Sequence, residues 1–374
     1  MPITFELIDI LIFVGVCQGV FLALTMQRIV NTNKRANSIL TVLIAISTFM
    51  LIGRFLMIRY FSEWVFYLGI LFDVVIFLFG PLFYWYTRTF LYSEETEKPL
   101  AKAHFIPAVL FSIFVIVIYV TYTPTTYLEA YQQGVLTVPF QIILASAILV
   151  NLYYLFRSFK VLYAYKKEYK QAFSFQQNPI QYIAFFLVTI AVIIILWALS
   201  FLSGFFENRW LSFIDYDLVW AAIPCFIYII GYFSLKQPEL FRVPMKQKTA
   251  NNKERLNTAE QQLLQEKLDS LMVNDKIFLQ PHLTLSTVAE MLQTSTNNVS
   301  WLLNNVYETT FYDFVNRYRV EEFVQKVENN EHLRHTILAL SLDVGFNSKS
   351  TFNKAFKLHK QDTPSNFIKK HHAA

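Results

Sequence analysis

Two stretches near the C-terminus carry residue types and spacings that suit contact with DNA. Residues 284–305 and 336–359 share one design, in which a short helix and a tight turn precede a second helix with a polar outer face. Thr284 can cap the first helix, and Gly345 provides backbone freedom for the second turn. Each stretch is therefore predicted to be a helix-turn-helix, which places its second helix in the major groove. Its inward-facing apolar residues recur at helical spacing: Val288, Ala289, Leu292, Val299, Leu302 and Leu303 in the first, and Ile337, Leu340, Val344, Phe352 and Phe356 in the second.

Enzymatic chemistry has few candidate residues. No lysine lies within the long apolar segments, so a retinal Schiff base has no attachment point. His104 is the only histidine before residue 280, which argues against a metal site or a Ser-His pair in that part of the chain. H-E-x-x-H and glycine-rich phosphate motifs are missing, and the adjacent His371 and His372 are too few to bind a metal. The sequence predicts no catalytic residue, no metal and no cofactor.

Composition divides the chain into two parts. Of its 374 residues, 55% are hydrophobic and only 16% are charged, whereas soluble domains are about 25% charged. Residues 1–235 hold 14 Lys/Arg and 12 Asp/Glu, and the shorter remainder, 236–374, holds 18 and 15. The first part is therefore predicted to lie in a lipid bilayer and the second to be soluble. Cys17 and Cys225 fall in apolar segments and imply no disulfide framework.

Seven segments are apolar over about 20 residues, the length of helix that crosses a bilayer core of about 30 Å. The first carries Glu6 and Asp9 instead of a basic lead-in, so it is predicted to be a retained helix rather than a signal peptide. The segments lie near residues 5–26, 38–58, 64–87, 105–122, 138–156, 180–203 and 216–234.

Basic residues between the segments predict the orientation, because Lys and Arg are retained on the cytoplasmic side. The second, fourth and sixth loops carry only Arg59 and Arg209. With seven spans, the N-terminus is predicted outside and the C-terminal domain in the cytoplasm, the protein being a multi-pass protein of the bacterial inner membrane. The first, third and fifth loops carry Arg28, Lys34, Arg35, Arg88, Lys98, Lys102, Arg157, Lys160, Lys166, Lys167 and Lys170.

The polar, proline-containing residues 236–257 are predicted to be a linker to a domain at 258–374. A helix from about Thr258 carries Leu264, Leu268 and Leu271 at helical spacing. This helix either packs onto its own domain or pairs with a second copy as a short coiled coil. A homodimer is thus one possible assembly.

The C-terminal sequence resembles the AraC family of transcription regulators. DVGFNSKSTFNKAFK (343–357) followed by DTPSNF (362–367) matches the family signature in order, and TFYDFVNRYRVEEF (310–323) resembles the helix that joins its two helix-turn-helix units. The resemblance covers about residues 258–370. Together with the seven apolar segments, it predicts an all-α protein: a seven-helix transmembrane bundle at 1–235 followed by a cytoplasmic double helix-turn-helix domain.

The resemblance also implies which residues contact double-stranded DNA. These positions point away from the inward-facing residues, as helical geometry requires. Asn can pair with adenine and Lys with guanine, whereas phosphate contacts set the salt dependence. The base-reading candidates are Asn297, Ser300, Trp301, Lys349, Ser350, Asn353 and Lys354, and the phosphate candidates are Lys357, Lys360, Lys369 and Lys370.

Three residues depart from the family pattern. Glu308 and Gln361 stand where the family usually has glycine after each recognition helix, a position that favours the left-handed conformation. A residue other than glycine there costs up to about 1 kcal/mol. Ser341 stands where a small apolar residue is usual.

Among the few ionisable residues within the apolar segments, Arg54 in the second and Asp73 in the third stand out. A charge in the bilayer costs roughly 2.5 to 3.5 kcal/mol or more unless it is paired or wet, so both are membrane-site candidates. They are expected either to form a functional site or to pair structurally with each other. Asp215 and Asp217, at the outer edge of the seventh span, are expected to be solvated.

These features predict a membrane-tethered transcription regulator whose bundle senses an unknown small-molecule or envelope signal. The alternative is a membrane carrier or channel with a regulatory cytoplasmic tail, although internal repeats and polar sites at mid-membrane, which carriers use, are not evident. Release of the tail by cleavage within 236–257 is a third possibility.

Overall fold

The computed structural model describes residues 6–26, 34–60, 62–92, 100–175, 178–206, 216–236 and 257–373. All the secondary-structure elements named among these residues are helices, so the all-α prediction is confirmed. An isolated antiparallel bridge also pairs Phe173 with Thr284. The chain forms two compact units: an N-terminal unit of residues 1–163 and 178–248, and a C-terminal unit of residues 164–177 and 249–374.

The N-terminal unit exposes large apolar side chains along its helices, as a lipid-facing surface requires. Val120, for example, is 83% exposed and Leu24 is 66% exposed. Six helical stretches among the described residues are long and apolar enough to cross a membrane. The helices are α1 (Leu7–Met26), α2 (Lys34–Arg59), α3 (Glu63–Asp73), α4 (Phe79–Leu91), α5 (Ile106–Thr121), α6 (Pro124–Gln132), α7 (Thr137–Ala172), α8 (Asn178–Phe206) and α9 (Tyr216–Lys236).

The third predicted span is not one continuous helix. Residues 64–87 fall on α3 and α4, which are joined by a 3-10 turn at Val74–Phe77. Pro81 explains the break, because in a continuous helix its ring would clash with the carbonyl of Phe77. In α4, Pro81 instead lies in the first turn, where a missing N–H costs nothing.

The broken segment nevertheless passes from one end of the N-terminal unit to the other. Near its start, the ring of Phe66 lies 4.6 Å from that of Tyr119 at the end of α5. Near its other end, the hydroxyl of Tyr86 lies 2.9 Å from that of Tyr182 at the start of α8. The six candidate spans and this broken segment are together compatible with the seven predicted spans.

The helix that contains the fifth predicted span is much longer than the span itself. The predicted span was 138–156, but α7 continues to Ala172 and is 36 residues long. The basic residues expected in a loop, including Lys166 and Lys170, therefore lie on this helix. Its last turns, from Ala164 onward, belong to the C-terminal unit.

The described part of the C-terminal unit contains seven whole α-helices, with α13 at their centre, and the last turns of α7. One apolar cluster joins α10, α11, α12 and the first half of α13, and a second joins the remainder of α13 to α14, α15 and the last helix. In α10, Leu264, Leu268 and Met272 are buried in the first cluster, so this helix packs onto its own domain. The helices are α10 (Thr258–Val273), α11 (Leu285–Met291), α12 (Thr296–Asn305), α13 (Phe311–Glu328), α14 (Ile337–Asp343), α15 (Lys349–Lys360) and α16 (Pro364–Ala373).

Both helix-turn-helix units form as their sequences predict. The Thr284 hydroxyl accepts a hydrogen bond from the Thr287 N–H at 3.1 Å and caps α11, and Gly345 has φ of 94° in the second turn. Glu308 and Gln361, the residues in place of the usual glycines, have φ of 49° and 55°. The inward-facing set is buried in both units except Ile337, which is half-buried.

Replacing Gln361 with glycine is expected to stabilise the C-terminal unit by up to about 1 kcal/mol, because glycine adopts positive φ without a Cβ penalty. The opposite change, Gly345→Ala, would place a Cβ 2.6 Å from the Phe278 carbonyl oxygen. It is expected to destabilise the unit by on the order of 1–3 kcal/mol. Native-state proteolysis of the full chain measures both effects. Equal resistance of wild type and Gln361→Gly would contradict the assigned backbone conformation.

Candidate functional site

The second recognition helix, α15, presents a continuous polar face. Phe352, Ala355 and Phe356 are buried on its other side, while the four base-reading candidates on α15 are all exposed: Lys349, Ser350, Asn353 and Lys354. Ser348 caps the helix by accepting a hydrogen bond from the Thr351 N–H at 3.2 Å. A lysine at the first residue of a helix interacts unfavourably with the helix dipole. Lys349 therefore does not stabilise α15, but its ammonium group is available to bind an external anion.

The first recognition helix, α12, offers amide and hydroxyl groups but no cation. Asn297 is exposed and Ser300 is half-buried. Trp301 is also half-buried, and part of its ring packs against the first apolar cluster. Trp301 therefore packs against the domain core and also lies at the edge of the polar face of α12. The two recognition helices differ in chemistry: α12 suits hydrogen bonding to bases, and α15 adds positive charge.

The phosphate candidates extend the positive charge of α15. Lys357 and Lys360 lie in its last turns, where cations also complement the helix dipole. Lys369 and Lys370 are exposed on α16. The Lys370 ammonium lies 2.7 Å from an Asp362 carboxylate oxygen, and the hydrogen bond from Lys370 is the main reason that the pKa of Asp362 is lowered. Lys370 is thus partly neutralised, and the other three are the stronger candidates.

The structure adds two basic residues that the sequence analysis did not connect with DNA. Burial, together with the positive charges of Lys166 and Lys170 near the end of α7, lowers the pKa of Lys354. Lys170 Nζ also lies 3.8 Å from an Asp313 carboxylate oxygen on α13. These lysines are about 180 residues from α15 in the sequence. No local pattern indicates the proximity, because it depends on the fold of the C-terminal unit.

Arg319 of α13 is fully buried between the two helix-turn-helix units. Its Nε donates to the Phe278 carbonyl and its Nη2 to the Gln280 carbonyl, both at 2.7 Å. Its guanidinium carbon lies 5.7 Å from the ring centroid of Phe346, which follows the second turn. Burial lowers the pKa of Arg319 to about 10, so the group stays charged at neutral pH. Its hydrogen bonds hold the backbone before the first unit, and its contact with the Phe346 ring reaches the second unit.

Ser341, the third departure from the family pattern, is buried and satisfied. Its hydroxyl donates to the Leu338 carbonyl at 2.7 Å within α14. Because the hydrogen bond is local, the polar group costs little where an apolar residue is usual. It does not contribute to the polar faces of α12 or α15.

In the N-terminal unit, Arg54 forms an ion pair with Asp217. Arg54 Nη2 lies 2.7 Å from a carboxylate oxygen of Asp217, whose side chain is 47% exposed. The expected pairing with Asp73 stays a prediction, because the side chain of Asp73 lies outside the described residues. The positions of the two residues account for the ion pair, because Arg54 lies in the last turns of α2 and Asp217 lies in the first turn of α9.

Arg54 also lines an apolar cavity of about 400 Å³ in the N-terminal unit. Its guanidinium carbon lies 5.7 Å from the ring centroid of Trp220. Its buried Nε has no hydrogen-bond acceptor among the described residues. The polar groups of Ser47 and Asn151 donate to helix carbonyls. The remaining wall is mainly aliphatic and aromatic, and includes Met50, Phe83, Phe140, Ile194, Trp197 and Phe226.

Comparison with known proteins identifies the C-terminal unit. Residues 288–370 match the family model described as a helix-turn-helix domain, in its AraC-type form. Neither the curated proteins nor the solved structures include a significant match.

Substitutions on α15 should separate sequence reading from electrostatic binding. Asn353→Ala is expected to weaken binding to the preferred DNA site by about 1–3 kcal/mol and to relax specificity at one base pair. Lys357→Ala should weaken binding to all sequences and reduce the slope of log K against log salt by about 1. Titrations of labelled DNA at several salt concentrations measure both. Gln325→Ala, an exposed change on α13, is the control, and equal sequence preference in wild type and Asn353→Ala would exclude Asn353 as a base reader.

Proposed function

With residues 288–370 assigned to an AraC-type helix-turn-helix domain, we propose that this protein is a membrane-tethered, sequence-specific regulator of transcription. The observation that supports it best is one chain that combines an apolar N-terminal unit, six of whose described helices could span a membrane, with a double helix-turn-helix unit. Seven crossings would place the C-terminal unit on the opposite side of the bilayer from the N-terminus. The linker residues 237–256 lie outside the described residues.

The distribution of charge supports a cytoplasmic position for the C-terminal unit. One end of the N-terminal unit holds basic and aromatic side chains together, including Arg88 and Arg157 beside the Tyr84 ring. At the other end, Arg59 Nη2 lies 2.6 Å from a buried Asp9 carboxylate oxygen and 3.2 Å from Glu6. Arg59, an exception to the bias in the loops, is therefore neutralised by two carboxylates. The remaining charge favours N-terminus outside and C-terminus inside.

A reporter fused after His372 tests this orientation. A reporter that is active only in the cytoplasm is expected to be active, and one that is active only in the periplasm is expected to be silent. A matched fusion after Gln133, which follows α6 and lies between the fourth and fifth spans, should show the reverse pattern. Periplasmic activity of the His372 fusion would exclude the proposed route to the chromosome.

The two recognition helices would contact successive major grooves, about 34 Å apart along one face of the duplex. A second copy of the protein would lengthen the site. DNase footprinting of the full chain in lipid nanodiscs, on DNA upstream of its own gene, is expected to show a protected sequence. Binding should weaken steeply with salt as Lys349, Lys354 and Lys357 release counterions from phosphates. A slope near zero and no protected sequence would reject the DNA-binding role.

The cavity in the N-terminal unit supports a sensing role for the bundle. Most small-molecule sites are concave, mainly apolar and fitted with a few polar groups that orient the ligand. Here the free Nε of Arg54 supplies a charged donor at one end of an apolar cavity. The cavity follows α2 from Leu43 to Met57, about 20 Å at 1.5 Å per residue. We therefore infer an elongated lipophilic ligand with an acidic head group.

Bromine-labelled dodecanoate is a suitable probe, because it should quench the fluorescence of Trp197 and Trp220 in the cavity. Arg54→Met is expected to raise the probe concentration that gives half-maximal quenching about 10- to 100-fold, since a hydrogen bond to a charged group contributes about 1.5–3 kcal/mol. Arg59→Met is the matched control, because Arg59 lies near the same end of α2 but pairs with Asp9 and does not line the cavity. Equal binding by the Arg54 and Arg59 variants would exclude this ligand class while leaving the DNA-binding proposal intact.

A further inference from the structure

The last turns of α7 and the three residues after them fold as part of the C-terminal unit. This portion, residues 164–175, is called the 164–175 segment below. It is separated from the rest of the C-terminal unit by the sixth and seventh spans in sequence. Its contacts lie beside the helix-turn-helix units.

Ser174 completes the hydrogen bonding of the buried Arg319. Arg319 Nη1 donates to the Ser174 carbonyl at 3.2 Å, and its Nη2 donates to the Ser174 hydroxyl at 3.3 Å. The Asn316 amide nitrogen donates to the same carbonyl at 3.1 Å. The Ser174 hydroxyl in turn donates to the Leu283 carbonyl at 2.8 Å. The side chains of Ser174, Asn316 and Arg319 are fully buried. Water could therefore not replace these hydrogen bonds unless the domain opened.

Aromatic residues on both sides of Ser174 hold it in place. The Phe173 ring stacks on Tyr169 with centroids 4.5 Å apart, and its backbone bridges to Thr284, the N-cap of α11. The Phe175 ring meets the edge of His282 at 5.2 Å. The segment therefore contacts the start of the first helix-turn-helix unit as well as α13.

We propose that the 164–175 segment is the element by which the bundle controls DNA binding: docked, it fixes the two helix-turn-helix units in the arrangement that binds DNA, and withdrawn, it releases them. This inference goes beyond the proposed function, but it rests on the DNA-binding role that the proposed function assigns to the C-terminal unit. The occupant of this surface is thus a named part of the same chain.

Arg319 explains why docking favours the DNA-binding arrangement. Its guanidinium contacts the backbone before the first unit at Phe278 and Gln280, and lies against Phe346 of the second unit. Gly345 is packed so closely there that an added Cβ would lie 3.0 Å from Arg319 Nε. Withdrawing Ser174 removes acceptors from a buried charge, which is costly. The arginine must then move or hydrate, and the contact between the two units loosens.

The same helix that ends in the segment also lines the cavity. α7 is continuous from Thr137 to Ala172, and Phe140, Ile143, Leu144 and Asn151 of this helix form part of the cavity wall. A helix with intact backbone hydrogen bonds transmits rotation or axial displacement along its length. A ligand that favours one position of α7 would therefore favour the docked or the withdrawn state of the segment.

Cysteine pairing tests docking in the full chain. Phe173→Cys with Thr284→Cys, in a background carrying Cys17→Ala and Cys225→Ala, places two thiols at bridged positions within the reach of a disulfide. Mild oxidation of membranes containing this variant is expected to form the intramolecular disulfide. The oxidised protein should bind DNA at least as tightly as the reduced protein. Tyr163→Cys with Thr284→Cys is the matched pair and should not form a disulfide, because Tyr163 belongs to the N-terminal unit and is 74% exposed.

Substitutions in the segment test the withdrawn state without altering residues 257–373. The double change Phe173→Ala, Phe175→Ala is expected to lower the DNA affinity of the full chain at least about tenfold. Hydrogen exchange at the α13 amides around Asn316 and Arg319 should accelerate. Tyr163→Ala, which removes an exposed aromatic ring from the same helix, should change neither measurement.

Two results would overturn the proposal. One is failure of the 173–284 disulfide to form, since the pairing readout does not depend on DNA binding. The other is a disulfide that forms while DNA affinity stays the same in the oxidised, reduced and double-alanine proteins. Loss of DNA binding by the wild type itself would instead reject the proposed function, and hydrogen exchange at α13 would still report whether the segment docks.

Discussion

The arrangement of the C-terminal unit depends on the buried charge of Arg319. A guanidinium taken out of water is costly unless all its donors find acceptors. Here the acceptors are mainly backbone carbonyls, from Phe278, Gln280 and Ser174, with the Asn316 side chain beside them. No ion pair to a described carboxylate is present. Carbonyls are fixed by the fold, so the arginine constrains several chain segments at once, which a flexible carboxylate would not do.

Local pattern predicted the helix-turn-helix units well because their determinants lie within a few residues of one another. Thr284 as a cap, Gly345 at positive φ, and Glu308 and Gln361 in the left-handed conformation are all properties of short stretches. The inward-facing residues likewise follow from the helical repeat. The DNA-contacting residues stay a prediction, since the exposed faces of α12 and α15 are compatible with DNA contact without demonstrating it.

Features that join distant parts of the chain could not be predicted in this way. Hydropathy predicted a continuous third span, because an average over many residues does not register Pro81 or the close packing at Gly80, where a Cβ would lie 2.6 Å from the Tyr154 ring. It also ended the fifth span at 156, because the polar residues that follow resemble a loop. Pairing of Arg54 with Asp217 and of Arg319 with Ser174 depends on sequence separations of 163 and 145 residues.

Each unit contains an arginine whose surroundings matter to its proposed role: the half-buried Arg54 and the fully buried Arg319. Arg54 has an ion-pair partner and an Nε without an acceptor, whereas Arg319 is saturated by groups that include the 164–175 segment. A ligand that satisfies Arg54 can move the bundle only by its difference in affinity for two states, and coupling between sites is typically 1–3 kcal/mol. One hydrogen bond to a charged group, at about 1.5–3 kcal/mol, is of that size. Under the proposed docking, the loss of one hydrogen bond at Ser174 would therefore cost about as much as such a ligand could supply.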